Sequence, residues 1–192
     1  MVWKVLPTLI FIVLVCCTSP EPSTKETEKP VINSLPSPSP PVSKTDLYAV
    51  QLNSQSVSLR QWDSTINLSQ ELGIPILEKT KQLDRNSDTH SGSYIKDLVY
   101  DGIKLKLFSP KQNGKTFWIM EMILTNKKFS TTKGVRLGDS LDKVKKIYPE
   151  LKLFPGNSPD MYFVSDAGYE KSIEMEFNKD TLKKLRMYYM IP

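Results

Sequence analysis

The chain has 192 residues, with 26 Lys and Arg against 21 Asp and Glu, a formal charge of +5 and a pI near 9.0. That charge is mild and spread along the chain with no basic stripe, which argues against a nucleic-acid partner. The two cysteines, Cys16 and Cys17, are adjacent and precede any foldable segment, so the domain holds no disulfide framework, Cys-ligated zinc or thiol nucleophile.

Met1 to Lys4 reads as a short, positively charged n-region, and Val5 to Val15 is an apolar run interrupted only by Pro7 and Thr8. The run has signal-peptide length and is short for a membrane-spanning helix. Thr18-Ser19-Pro20-Glu21-Pro22 cannot continue a helix. The sequence Leu14-Val15-Cys16-Cys17 resembles the bacterial lipobox, with Cys16 where Gly, Ala or Ser is usual. The resemblance implies that residues 1–16 are removed, that the Cys17 thiol takes a diacylglycerol, and that its freed amine is acylated. Two or more acyl chains would anchor the mature chain stably to a plasma or outer membrane, outside the cytoplasm. The alternatives are an uncleaved anchor, an ordinary secretory signal, or cleavage after Val15 with Cys16 modified.

Residues 17–45 read as a tether. Half of the 14 prolines fall here, at Pro20, Pro22, Pro30, Pro36, Pro38, Pro40 and Pro41, among Ser, Thr, Lys and Glu. Such a segment buries too little apolar surface to offset its ordering entropy, and proline removes backbone donors. An extended spacer is expected. A Pro-rich recognition motif is the other reading, although no basic anchor flanks the prolines in the usual way.

Residues 46–192 read as one domain built of two similar units, 46–128 and 129–192. In the first, a helix following Val57-Ser58-Leu59 ends at Leu72-Gly73-Ile74-Pro75, with Gly73 a natural cap. Tyr94 to Tyr100 and Ile103 to Phe108 form a hairpin about Asp101-Gly102. Phe117 to Thr125 makes a third strand, with Trp118, Met120, Met122 and Leu124 facing the helices.

In the second unit, Val135-Arg136-Leu137 matches Val57-Ser58-Leu59. A helix capped by Asp139 or Ser140 turns Leu141, Val144 and Ile147 to one side and stops at Pro149. Strands follow at Met161 to Val164, Lys171 to Phe177 and Leu182 to Met190, with Ile173, Met175 and Phe177 inward and Glu174 and Glu176 outward. The expected fold class is α+β: two tandem helix-plus-three-strand repeats forming an antiparallel sheet with helices on one face.

The stretch Phe129 to Pro149, with Gly134-Val135, Gly138-Asp139-Ser140, Val144 and Tyr148, resembles a signature common in bacterial lipoproteins. The doubled unit, spanning Val57 to Met190, is similar to β-lactamase inhibitory protein and to the small lipoprotein of the outer-membrane β-barrel assembly machinery. The first unit departs from the signature with Arg60-Gln61-Trp62 in place of Gly138-Asp139-Ser140. The resemblance implies a fold and a style of binding through an open sheet face more than a reaction.

No catalytic residue, metal ligand or cofactor is expected. His90 is the sole histidine. Its neighbours Asp88, Ser91 and Ser93 are too close in sequence to face it as a triad. Asp84, Asn86 and Asp88 match the opening of a calcium loop, but Thr89 replaces the turn glycine and Ile95 the bidentate glutamate. Gly134 and Gly138 lack the Lys-Ser/Thr pair of a phosphate loop and read as a tight lead into a helix.

Strand alternation sets Lys104, Lys106, Glu121, Glu174, Glu176, Lys184, Arg186 and Tyr188 on the face away from the helices. That face is either an ordinary solvated one or a binding surface for an envelope or secreted protein, mixed charge with aromatics suiting a protein partner. The function expected is that of a lipid-anchored, non-enzymatic binding or scaffold module. The alternative is an inhibitor or sensor of a secreted hydrolase.

Overall fold

The computed structural model describes residues 46–84, 90–110, 114–155 and 160–190. Residues 1–16 and 17–45, read from the sequence as a signal peptide and a tether beginning at Cys17, lie outside the described residues, as do Asn86 and Asp88 of the calcium-like run. In chain order, β1 (Ala49–Gln51) and β2 (Ser56–Ser58) are followed by a 3-10 turn, Asp63–Thr65, and α1 (Leu68–Leu72). Next come β3 (Leu77–Gln82), β4 (Tyr94–Tyr100), β5 (Ile103–Ser109) and β6 (Trp118–Leu124). After β7 (Ser130–Thr131) the chain forms α2 (Leu141–Ile147), β8 (Lys152–Leu153), β9 (Met161–Ser165), β10 (Lys171–Asn178) and β11 (Thr181–Tyr189).

Eight strands make one sheet in the order β3-β4-β5-β6-β11-β10-β9-β8, and β2-β1-β7 make a second, three-stranded sheet. Neighbours pair antiparallel throughout.

Local chemistry explains the turns and caps. Gly102 has φ +94, and a Cβ there would lie 2.6 Å from the Asn126 Oδ1 and within 3.1 Å of the Phe129 ring, so only glycine fits between β4 and β5. Ser140 caps α2 by accepting from the Lys143 amide, and Asn67 caps α1 by accepting from the Gln70 amide. Gly73 ends α1 at φ +79, donating its amide to the Ser69 carbonyl.

One side of the large sheet carries the core. Leu98 and Tyr100, Ile103, Leu105 and Leu107, Met122 and Leu124, Ile173 and Met175, and Leu185 and Met187 pack against Val50, Val57, Leu59, Val135, Leu137, Val144 and Tyr148. The covering layer is therefore the small sheet, the short helices and their connections together. Tyr148 sits fully buried at the end of α2. Its hydroxyl has no hydrogen-bond partner among the described residues. Burial pushes this phenol up to about 12, and the nearby Thr131 hydroxyl works in the opposite direction without reaching hydrogen-bonding geometry.

The expected α+β fold class is corrected: the protein is mostly β, with 46% of the described residues in strands against 11% in helix. It is not a tandem helix-plus-three-strand repeat of 46–128 and 129–192. The helices hold only 5 and 7 residues. Two strands, β3 and β8, join the large sheet beyond the expected six, and the small sheet was not expected at all. β3 is exposed at every position and so lacks the half-buried alternation that marks a strand in sequence. β8 and β7 have 2 residues each, too few to show any period.

A second correction concerns β6. Met122 and Leu124 lie in the core, but Trp118 and Met120 do not, and Ile119 takes the remaining core place. The cause is a β-bulge: Lys106 pairs with Glu121 but Leu107 with Ile119, leaving Met120 extra and inverting the alternation before it.

Candidate functional site

Because the large sheet is antiparallel, residues in register across it share a face. On the side away from the core, one register runs through every strand: Leu77, Val99, Lys104, Ile123, Arg186, Glu174, Phe163 and Lys152. The next runs Lys79, Asp97, Lys106, Glu121, Tyr188, Ser172 and Ser165. On the other flank Lys184 lies opposite Glu176, which lies opposite Met161. All eight residues expected on this face fall in these rows, on the four adjacent strands β5, β6, β11 and β10.

Arg186 joins them. One guanidinium nitrogen donates to the Glu121 carboxylate at 3.0 Å and the other to Glu174 at 3.2 Å. The group lies over the Tyr188 ring, 4.4 Å from its centroid. Lys106 adds a looser pair with Glu121 at 3.9 Å. Partial burial works against the Arg186 charge, but the two carboxylates outweigh it and hold the guanidinium above its ordinary value. Burial, with the Glu174 carboxylate alongside, raises the Tyr188 phenol as well.

Since Arg186 is two-thirds shielded and held from both sides, its planar group is fixed in advance rather than waving in solvent. A shallow depression beside it is lined by Met161, Glu174, Glu176, Lys184 and Arg186. Lys104 and Lys184 are exposed, and neither makes an ion pair among the described residues.

Several members of the face escaped sequence reasoning. Val99, Ile123, Met161 and Phe163 are apolar and half-buried, and they interleave with the charges. Their signal was present: Val99 sits opposite Lys104 in the Asp101-Gly102 hairpin, and Phe163 alternates with the core residue Val164. Without the order of the strands, nothing joined them into rows.

The other candidates lie outside the Arg186 cluster, although His90 sits at the margin of this face, where Phe108 is in register with Lys81, Ile95 and Trp118. The His90 ring meets Phe108 edge-on at 5.7 Å. Gly134 and Gly138 have positive φ in the approach to α2, as a tight helix lead-in requires. Among the described residues, no three His, Cys, Asp or Glu are grouped so as to hold a metal ion. No described helix is long and apolar enough to cross a membrane. Comparison with protein families, curated proteins and solved structures finds no match for this chain.

Proposed function

We propose that this chain is a lipid-anchored, non-enzymatic binding module of the cell envelope that engages an envelope or secreted protein through its open sheet face. The observation that carries the reading is the Arg186 cluster, an arginine locked between Glu121 and Glu174 and stacked on Tyr188. Arginine and tyrosine dominate the energetics of protein interfaces, and a pre-fixed side chain loses little entropy on binding. The half-buried Val99, Ile123 and Phe163 supply the apolar surface such an interface needs around its polar centre.

Support for the anchor comes from the lipobox-like Leu14-Val15-Cys16-Cys17, with Cys17 as the lipidated residue, and from the proline-rich residues that follow. The same pre-fixed arginine and tyrosine also suit a second reading, inhibition or sensing of a secreted hydrolase.

One series of measurements tests both. Full-length protein is used to capture partners from envelope extracts, beside a variant with Lys104, Lys106 and Tyr188 changed to Ala and Arg186 to Glu. Loss of a specific partner with the variant is expected. Retention of every partner rejects the face. Stoichiometric inhibition of the captured protein selects the second reading, and the intact mass of membrane-extracted chain reports the acyl groups on Cys17.

A further inference from the structure

The large sheet ends on two unlike edges. β8 has 2 residues, whereas β3 has 6, all exposed. The Leu83 amide donates to the Ser93 carbonyl at 2.8 Å. Hydrogen-bonded pairs recur every second residue in an antiparallel ladder, so Lys81, Lys79 and Leu77 turn their backbone groups toward β4. The donors and acceptors of Glu78, Thr80 and Gln82 therefore point out of the sheet, and no described residue pairs with them. Beside this open edge, Ile74, Ile76 and Leu77 are 92%, 74% and 52% exposed.

The charges select the occupant. Lys79 and Lys81 lie on the outward face of β3, and neither makes an ion pair among the described residues. Glu78, the acid of the strand, is engaged by Lys96 at 3.5 Å. A second copy of β3 added antiparallel, with both open faces on one side, would set Lys79 against Lys79 or against Lys81. Like charges in those positions repel, and lysines on an edge strand commonly work in this way. An acidic strand turns the same lysines into attraction.

We propose that the free edge of β3 docks an extended, acidic protein segment that adds antiparallel to the sheet. Acidic side chains stand opposite Lys81 and Lys79 and an apolar one opposite Leu77, giving the pattern acid-x-acid-x-apolar from N- to C-terminus. This edge shares Leu77 and Lys79 with the open face but lies four strands from β11 and the Arg186 cluster, so binding at it is tested independently of that cluster.

The test uses full-length protein and a synthetic peptide with Glu-Thr-Glu-Thr-Leu between polar flanks. Saturable binding is expected, with slowed hydrogen exchange at the amides of Glu78, Thr80 and Gln82. Changing Lys79→Glu and Lys81→Glu together removes two attractions and adds two repulsions of ordinary surface strength, weakening binding about tenfold. The same double variant should prefer the peptide with Lys in place of Glu, a gain that a misfolded variant cannot show.

The proposal is overturned if the wild-type chain does not bind the acidic peptide or if charge reversal leaves its affinity unchanged. It is also overturned if methylating the peptide's threonine nitrogens costs nothing. Protection of the same amides by self-association without peptide assigns the edge to a second copy. Anionic vesicles protecting them assign it to a lipid surface, and either result rejects the acidic strand.

Discussion

Glu71 shows how one side chain can tie an irregular segment to a helix. It is 4% exposed, and its carboxylate accepts from the Ser54 amide at 2.9 Å and from the Ser54 hydroxyl. The Ser54 side chain and backbone bonds outweigh burial and hold this carboxyl below its ordinary value. A folded-state value below the unfolded one means the stabilisation is present above the ordinary carboxylate range. It is lost as pH falls through the lowered folded value. Glu71→Gln should therefore cost about 1–2 kcal/mol at neutral pH and flatten the acid limb of the stability curve. Urea unfolding at a series of pH values reads both, and an unchanged acid limb would refute the assignment. Sequence gave no hint of this role, because a glutamate in a short polar helix reads as solvated, and its partner Ser54 lies 17 positions earlier.

Elements were legible where turn chemistry and alternation agreed. The hairpin about Asp101-Gly102 formed as expected, as did the capped α2 and the buried Ile173, Met175 and Phe177. The turn between β10 and β11 carries a less visible demand. Lys179 and Asp180 have φ +48 and +67, both in the left-handed region favoured by glycine and asparagine. Asp180 also accepts from the Leu141 amide through its carboxylate at 3.0 Å and through its carbonyl at 3.1 Å, fastening the turn to the start of α2. Lys179→Gly should therefore stabilise the protein by about 0.5–1 kcal/mol, whereas Asp180→Gly should gain nothing, the lost carboxylate bond offsetting the relieved backbone. Thermal unfolding of the two variants distinguishes them. Equal gains would mean that the bond to α2 contributes little.

In the whole molecule, the sheet and its covering layer share one core, and Tyr148 brings to it the one orphaned buried side-chain polar atom among the described residues. Removing that hydroxyl while keeping the ring deletes an unpaid desolvation term, so Tyr148→Phe should raise stability by about 1 kcal/mol in denaturant unfolding. A loss would reveal a hidden hydrogen bond. Composition and alternation were enough to confine the cysteines to the N-terminus, to set most strands and to place Glu174, Glu176, Lys184, Arg186 and Tyr188 on the outward side. Side-chain period is a property of each strand alone, and the chain carries it locally. The order of eight strands, the bulge at Met120, the exposed edge strand β3 and the meeting of Arg186 with Glu121 depend on pairing between segments as far apart as Glu121 and Tyr188. Pairing is chosen by burying both sheets on one core at once, a choice no single segment contains.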